Sequence, residues 1–200
     1  SRDPGEVMPT TSRQPRIPRA RFSATFVLAL VAGFLLEAAS ARADTLYGLI
    51  DTGEIFTSAD GGVTWTIRST TPVHDAVALQ ARASSTDLFM ASASGSIYHS
   101  ADAGTNWSAV GAPPVSDLVD MAIRGDGDIV LLTASGAVYG SADLGATFTP
   151  LATLTASNCT SLAGRSDGRL FALTRTGEVY LSTDGGGTWG ARGVLTTSEA

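Results

Sequence analysis

An all-β fold, a partial β-propeller of about four four-stranded antiparallel blades, is predicted for residues 44–200 by three observations. Four blocks of 20 residues align without a gap at Leu46–Trp65, Leu88–Trp107, Ile129–Phe148 and Leu170–Trp189, so the pattern recurs every 41 or 42 residues. A period of this size is what one four-stranded sector of a radial array produces. Each block is made of short β-branched and aromatic runs punctuated by glycine, a strand and hairpin composition. After Ala43, no stretch of comparable length carries the spacing of an amphipathic helix.

The elements of one repeat follow in order. An apolar run (Leu46-Tyr47, Leu88-Phe89-Met90, Ile129-Val130-Leu131-Leu132, Leu170-Phe171) leads to a turn at Gly53, Gly95, Gly136 or Gly177. A second short strand holds Ile55-Phe56, Ile97-Tyr98, Val138-Tyr139 or Val179-Tyr180. A third follows the aromatic residue that closes each block. Between blocks lies one more apolar segment, Ala76–Ala81, Leu118–Ile123 and Cys159–Gly164, which makes four strands per repeat. Sheets sandwiched between neighbours need apolar residues on both faces, hence near-continuous hydrophobic runs in place of strict alternation.

The second strand of every block ends in a common octapeptide: S-A-D-G-G-V-T-W from Ser58, S-A-D-A-G-T-N-W from Ser100, S-A-D-L-G-A-T-F from Ser141 and S-T-D-G-G-G-T-W from Ser182. Ser58, Ser100, Ser141 and Ser182, with Asp60, Asp102, Asp143 and Asp184, can accept main-chain N–H groups inside a tight loop. Gly62, Gly104, Gly145 and Gly186 permit the positive φ such a loop demands. Trp65, Trp107, Phe148 and Trp189 then offer a large ring for burial between sheets. The octapeptide resembles the Asp-box, or bacterial neuraminidase repeat, S/T-x-D-x-G-x-T-W, over the whole of residues 44–200. That resemblance implies a structural turn away from the active-site face. Calcium binding or catalysis is the competing reading, but one carboxylate per blade is a symmetry that catalysis does not need.

Residues 1–43 read as a secretory signal with an upstream extension. Arg13, Arg16, Arg19 and Arg21 precede an apolar run from Phe22 to Leu36, which leads to Ala41-Arg42-Ala43; basic, apolar and small-residue regions in that order mark a cleavable signal. The apolar run falls short of the roughly 20 residues that span a bilayer. Ser1–Val7 lie upstream of Met8 and are excluded from the fold. The expected destination is secreted or periplasmic, with no integral membrane span after cleavage. From Asp44 onward the chain carries 16 acidic and 7 basic residues, a net −9 that argues against nucleic-acid backbone binding. Cys159 is the sole cysteine, so no disulfide framework is expected and stability comes from packing.

The phase of the repeat carries a further expectation. The first block starts at Leu46, so the first blade lacks an innermost strand of its own. Propellers commonly close by letting the C-terminus supply that strand, yet the sequence stops at Ala200 before the next one is due. The resemblance implies six to eight blades, so the chain reads as the N-terminal part of a longer ring and an open arc is expected. A closed four-bladed ring is the alternative.

Each candidate site meets a plainer reading. Tyr98, Tyr139 and Tyr180 share one column of the repeat and Tyr47 shares another with Phe89, Val130 and Phe171, so none stands out as a sialidase nucleophile. Pro15-Arg16-Ile17-Pro18 resembles a sialidase motif but precedes the apolar run. Two carboxylates suffice for glycoside hydrolysis, as in propellers of the endo-xyloglucanase type; however, Asp75 and Asp117 form a column with Asn158, Asp126 and Asp167 sit in repeated Asp-Gly turns, and Glu54 and Glu178 flank turn glycines. Arg82, Arg124 and Arg165 end successive inner strands, and blade symmetry would array them around one mouth of the channel. Such an arc suits a carboxylate, phosphate or acidic peptide; the alternative is that each pairs with a turn aspartate. Arg124-Gly125-Asp126 spells an adhesion tripeptide, but Arg165-Ser166-Asp167 fills the same turn. His74 and His99 are too separated to suggest a metal site. Asn106-Trp107-Ser108 and Asn158-Cys159-Thr160 match glycosylation acceptors, and Cys159 reads as a small buried residue.

The repeat with its Asp-box is similar to the YVTN/BNR-type propellers, which include the photosystem II stability and assembly factor family. Fold likeness does not transfer chemistry. The expectation is a monomeric, exported, non-enzymatic scaffold that binds a protein or glycan, with no cofactor and no metal. The alternative is a glycoside hydrolase or sialidase whose catalytic residues lie mostly outside these blades.

Overall fold

The computed structural model of the chain describes residues 45–195 apart from 51 and 84; the segment expected to be a signal peptide, with its expected cleavage site, lies outside the described residues. The fold is all-β, and its strands fall where the repeat places them. Blade 1 holds β1 (Leu46–Leu49), β2 (Glu54–Ser58) and β3 (Thr66–Thr70). Blade 2 holds β4 (Ala76–Ala81), β5 (Leu88–Ser92), β6 (Ile97–Ser100) and β7 (Ser108–Gly111). Blade 3 holds β8 (Leu118–Ile123), β9 (Ile129–Thr133), β10 (Ala137–Ser141) and β11 (Thr149–Thr153). Blade 4 holds β12 (Cys159–Gly164), β13 (Leu170–Thr174), β14 (Glu178–Ser182) and β15 (Gly190–Val194).

Every blade is an antiparallel meander in chain order, three-stranded in blade 1 and four-stranded in blades 2 to 4. The inner strands β4, β8 and β12 bulge near their starts, at Ala76/Ala78, Leu118/Asp120 and Cys159/Ser161. These strands pack in series, β4 on β8 and β8 on β12, which is the contact expected of sectors fanned about an axis.

Three apolar cores fill the junctions between successive blades. Leu49 and Ile55 meet Leu79, Leu88 and Met90 between blades 1 and 2. Phe89, Ala91 and Ile97 meet Leu118, Met121 and Leu131 between blades 2 and 3. Val130, Leu132 and Val138 meet Leu162, Leu170 and Tyr180 between blades 3 and 4. Middle strands flanked on both sides are therefore buried at every residue in β5 and β9, whereas β13 alternates between buried and half-buried. The described residues thus form an open arc: blade 4 has one face uncovered and so does blade 1, where Trp65 remains 39 % exposed. The aromatic ring of the first block is half-exposed because no sector among the described residues covers it, while Trp107, Phe148 and Trp189 pack against the cores.

Antiparallel pairing also sorts the loops onto two faces. The turn after each inner strand and the Asp-box turn are two strands apart, so they lie on one face. The block hairpins and the loops leading into each inner strand lie on the other. Main-chain bonds confirm the sorting: Ala103 N–H donates to Thr86 O at 3.0 Å on the first face, and Ala93 N–H donates to Asp75 O at 2.8 Å on the second.

Candidate functional site

The Asp-box turns are built as their sequence requires. Ser58 Oγ donates to Asp60 Oδ1 at 2.7 Å and accepts the Gly62 N–H at 2.8 Å. Thr64 donates to the same carboxylate through its N–H at 2.9 Å and its hydroxyl at 2.6 Å. The Ser100–Asp102, Ser141–Asp143 and Ser182–Asp184 pairs repeat this at 2.8 Å each. Asn106 takes the place of threonine in the second box, donating through its N–H at 2.8 Å and its Nδ2 at 2.6 Å.

Each carboxylate is thus saturated by donors, which holds its pKa down from 3.8 to about 2. The Thr64, Thr147 and Thr188 hydroxyls lead in Asp60, Asp143 and Asp184, and the Asn106 N–H leads in Asp102. The four box glycines have φ between +84° and +102°, as the motif demands. A carboxylate spent on its own loop has little left for a cation or a substrate, so the boxes act as hairpin clasps.

The arginine column lies on this same face. Arg82 sits 3.6 Å from the Asp87 carboxylate. Arg124 is held by Asp126, by Asp128 at 3.2 Å and by the Gly185 carbonyl of the next blade's box at 3.3 Å. The Asp126 bond and the two charges outweigh desolvation and push the guanidinium pKa up. Arg165 is 3.7 Å from Asp167, which Arg169 also approaches at 3.6 Å. Each of the three thus has a turn aspartate beside it, as the plainer reading holds, and they are graded in availability: the Arg124 side chain is 22 % exposed, Arg82 35 % and Arg165 60 %. The adhesion tripeptide is part of a blade junction, since a Cβ on Gly125 would come within 2.4 Å of the Ser166 carbonyl oxygen.

On the opposite face, the acidic column also braces loops. Asp75 accepts the Ser94 N–H at 3.1 Å and Asp117 the Ser135 N–H at 3.0 Å. Their main chains, with that of Asn158, bond the same hairpins, and Leu118 and Cys159 donate to the hairpin of the blade before, at Ala93 O and Ala134 O. Glu178 accepts the Thr174 and Thr176 hydroxyls at 3.4 and 3.3 Å, and Glu54 accepts from Thr52. No arrangement of two facing acids emerges among these residues.

Two non-periodic features escaped the sequence reading. Asp120, on inner strand β8, accepts the Leu162 N–H at 2.7 Å and the Ser161 hydroxyl at 3.1 Å from β12, and the Met121 N–H at 2.8 Å from its own strand. Burial raises its pKa against those three donors. Its column reads Ala78, Asp120, Ser161, and that break in the repeat was the available signal. His99 stacks on Phe89 at 4.6 Å and bonds Asp87 at 3.0 Å, which fills the wedge between blades 2 and 3. The corresponding wedge between blades 1 and 2 is instead a crevice of ≈ 380 Å³, lined by Tyr47, Thr57, Thr66 and Arg68. Cys159 is buried, and burial pushes its thiol pKa up.

With this geometry in place, comparison with known proteins is specific. The profile of the family described as Photosynthesis system II assembly factor YCF48 matches residues 34–193. No curated protein matches the chain. Among solved structures, one titled "YCF48 bound to D1 peptide" superposes with a TM-score of 0.52 at 19% identity, covering 73% of this chain and 49% of that one. The GH74 enzyme of Niastella koreensis superposes with a TM-score of 0.59 at 19% identity, covering 76% of this chain and 23% of that one. The chain thus spans about half of the first structure and a quarter of the second, and likeness at this identity establishes the propeller fold. Among the described residues, no helix is long and apolar enough to cross a membrane.

Proposed function

We propose that this chain, which belongs to the photosynthesis system II assembly factor YCF48 family, works outside the cytoplasm as a non-enzymatic scaffold that holds a segment of a client protein. The observation that carries the reading is the family match over 34–193, which takes in every blade. A structural relative titled as bound to a peptide supports a protein ligand over a glycan. The basic and apolar run before Asp44 supports export.

The ligand-binding residues proposed are Arg82, Arg124 and Arg165, and their graded exposure ranks them. Arg165 is the most accessible guanidinium of the three and Arg124 the most engaged. On a chain with net charge −6, an exposed arginine favours a peptide with an acidic side chain or a free carboxylate.

The test is fluorescence anisotropy of the purified protein with labelled acidic peptides and their amide counterparts. Acidic peptides bind preferentially, and Arg165→Glu weakens binding by about tenfold or more while the thermal midpoint stays in place. Equal binding of both peptide sets removes the arginine site. Turnover of a β-glucan or a fluorogenic sialoside replaces the scaffold with a glycoside hydrolase.

A further inference from the structure

Beside the Asp-box of each successive blade, the junction leaves a wedge that the abutting blades must fill. Between blades 2 and 3 the filler is His99 on β6. Its ring stacks on Phe89 with centroids 4.6 Å apart and planes 15° from parallel, and it bonds Asp87 at 3.0 Å. Between blades 3 and 4, Gly140 takes the place of His99 and Leu151 on β11 fills the space instead. The fit is so close that a Cβ on Gly140 would meet Leu151 Cδ1 at 2.8 Å.

Between blades 1 and 2 neither device operates. Tyr47 takes the place of Phe89, Thr57 that of His99 and Arg68 that of Leu151. Thr57 is too short to cover the Tyr47 ring, and Arg68 reaches past the wedge to donate to Ala103 O at 3.2 Å and Asp102 O at 3.1 Å. The result is the crevice of ≈ 380 Å³ lined by Tyr47, Thr57, Thr66, Arg68 and Ala103. Both fillers elsewhere are side chains of the abutting blades, so the choice of Thr57 and the reach of Arg68 open this wedge. The hydroxyls along it are engaged with the protein: Thr57 and Thr66 share a hydrogen bond at 3.3 Å, and Thr64 donates to Asp60 at 2.6 Å. Such a wall recognises a ring by its face and offers little to the many hydroxyls of a sugar. The pinned guanidinium beside it also suits an electron-rich ring.

We infer that the crevice seats a planar aromatic side chain of the client segment, stacked on Tyr47 as His99 stacks on Phe89. This rests on the reading of the chain as a holder of a protein segment, and it adds an apolar anchor on the face that carries the arginine column. The neighbouring junction is the template: there the protein supplies from its own strand the ring that the client brings here.

NMR titration of the whole chain with N-acetyl-phenylalaninamide, against N-acetyl-leucinamide, reads the crevice without any client peptide. Saturable ring-current shifts are expected at the Thr57 and Thr66 methyls with the aromatic compound alone. Thr57→His restores the filler of the neighbouring junction and should abolish them while the thermal midpoint holds; Tyr47→Leu keeps an apolar wall and should weaken binding roughly threefold to tenfold. No shift, equal shifts with both compounds, or shifts that survive Thr57→His overturn the inference. In the anisotropy assay, an acidic peptide carrying one phenylalanine should bind roughly threefold to tenfold more tightly than its leucine counterpart. An acidic preference without a phenylalanine preference removes the crevice and keeps the arginine site. A phenylalanine preference without an acidic one removes the arginine site and keeps the crevice.

Discussion

Arg124 and Gly185 stand 61 residues apart in sequence and meet at 3.3 Å, where the guanidinium of one blade donates to the box carbonyl of the next. The same side chain binds Asp126 and Asp128. Arg124→Glu therefore places a carboxylate between two others and removes an interblade bond, which lowers unfolding stability by about 1–2 kcal/mol. Arg165, more than half exposed, has less at stake: Arg165→Glu stays within about 0.5 kcal/mol. Urea denaturation followed by tryptophan fluorescence separates them, and equal effects would show that the Gly185 bond contributes nothing.

Leu144 has φ +59° and precedes Gly145 at +84°, so two successive residues of the third box are left-handed. The first and last boxes carry glycine there, Gly61 and Gly185. A side chain in this region costs about 1–2 kcal/mol, partly offset by the greater freedom glycine gives the unfolded chain. Leu144 is 39 % exposed and contributes little packing. Leu144→Gly is thus expected to stabilise the protein by up to about 1 kcal/mol, read as a higher urea midpoint at unchanged slope; a loss would show that its side chain packs.

How much of this was legible follows from what repeats. The bounds of β4, β8 and β12 and the Ser58–Asp60–Gly62 clasp recur in columns, and a column reports local backbone demand directly. The pairing of Arg124 with Asp126 and of Arg165 with Asp167 was the alternative the sequence offered, because both aspartates fill the same place in turns of equal length, whereas Asp87 as the partner of Arg82 was not legible, because that turn is longer. Asp120 escaped for a different reason: a strap used once, between β8 and β12, shows only as a break in its column and not as a column of its own. The exposure of Trp65 follows from its place at the head of the arc, which motif matching treats as equivalent to Trp107.

The box aspartates set an acid limit. Asp60, Asp102, Asp143 and Asp184 titrate at about 2 in the fold against 3.8 when unconstrained. The unfolded chain therefore binds more protons between these values, and the stabilisation they contribute is fully present above about 4. It is lost as pH falls toward about 2. The thermal midpoint should drop steeply across that window, and Asp102→Asn should reduce the slope; a profile unchanged by the substitution would remove the clasp from the acid transition.

Asp120 acts with the opposite sign in the adjoining window. Its folded pKa is raised by burial, so between 3.8 and that raised value the folded protein holds more protons than the unfolded chain. Its contribution is consequently most favourable below the unfolded pKa and declines as pH rises through the folded one. The Leu162 N–H, Met121 N–H and Ser161 hydroxyl all aim donors at this carboxylate, so the ionised form keeps partners, while a neutral side chain avoids the desolvation. Asp120→Asn keeps an acceptor toward Leu162 and loses the charge, so its stability should be flat from weakly acidic to neutral pH where the parent protein declines. Asp120→Ala strands the Leu162 N–H between two inner strands and should cost about 1–3 kcal/mol at every pH. Paired urea titrations at acidic and neutral pH read both effects: parallel curves for the parent and Asp120→Asn would show that Asp120 does not titrate between those pH values, against the raised pKa that burial gives it.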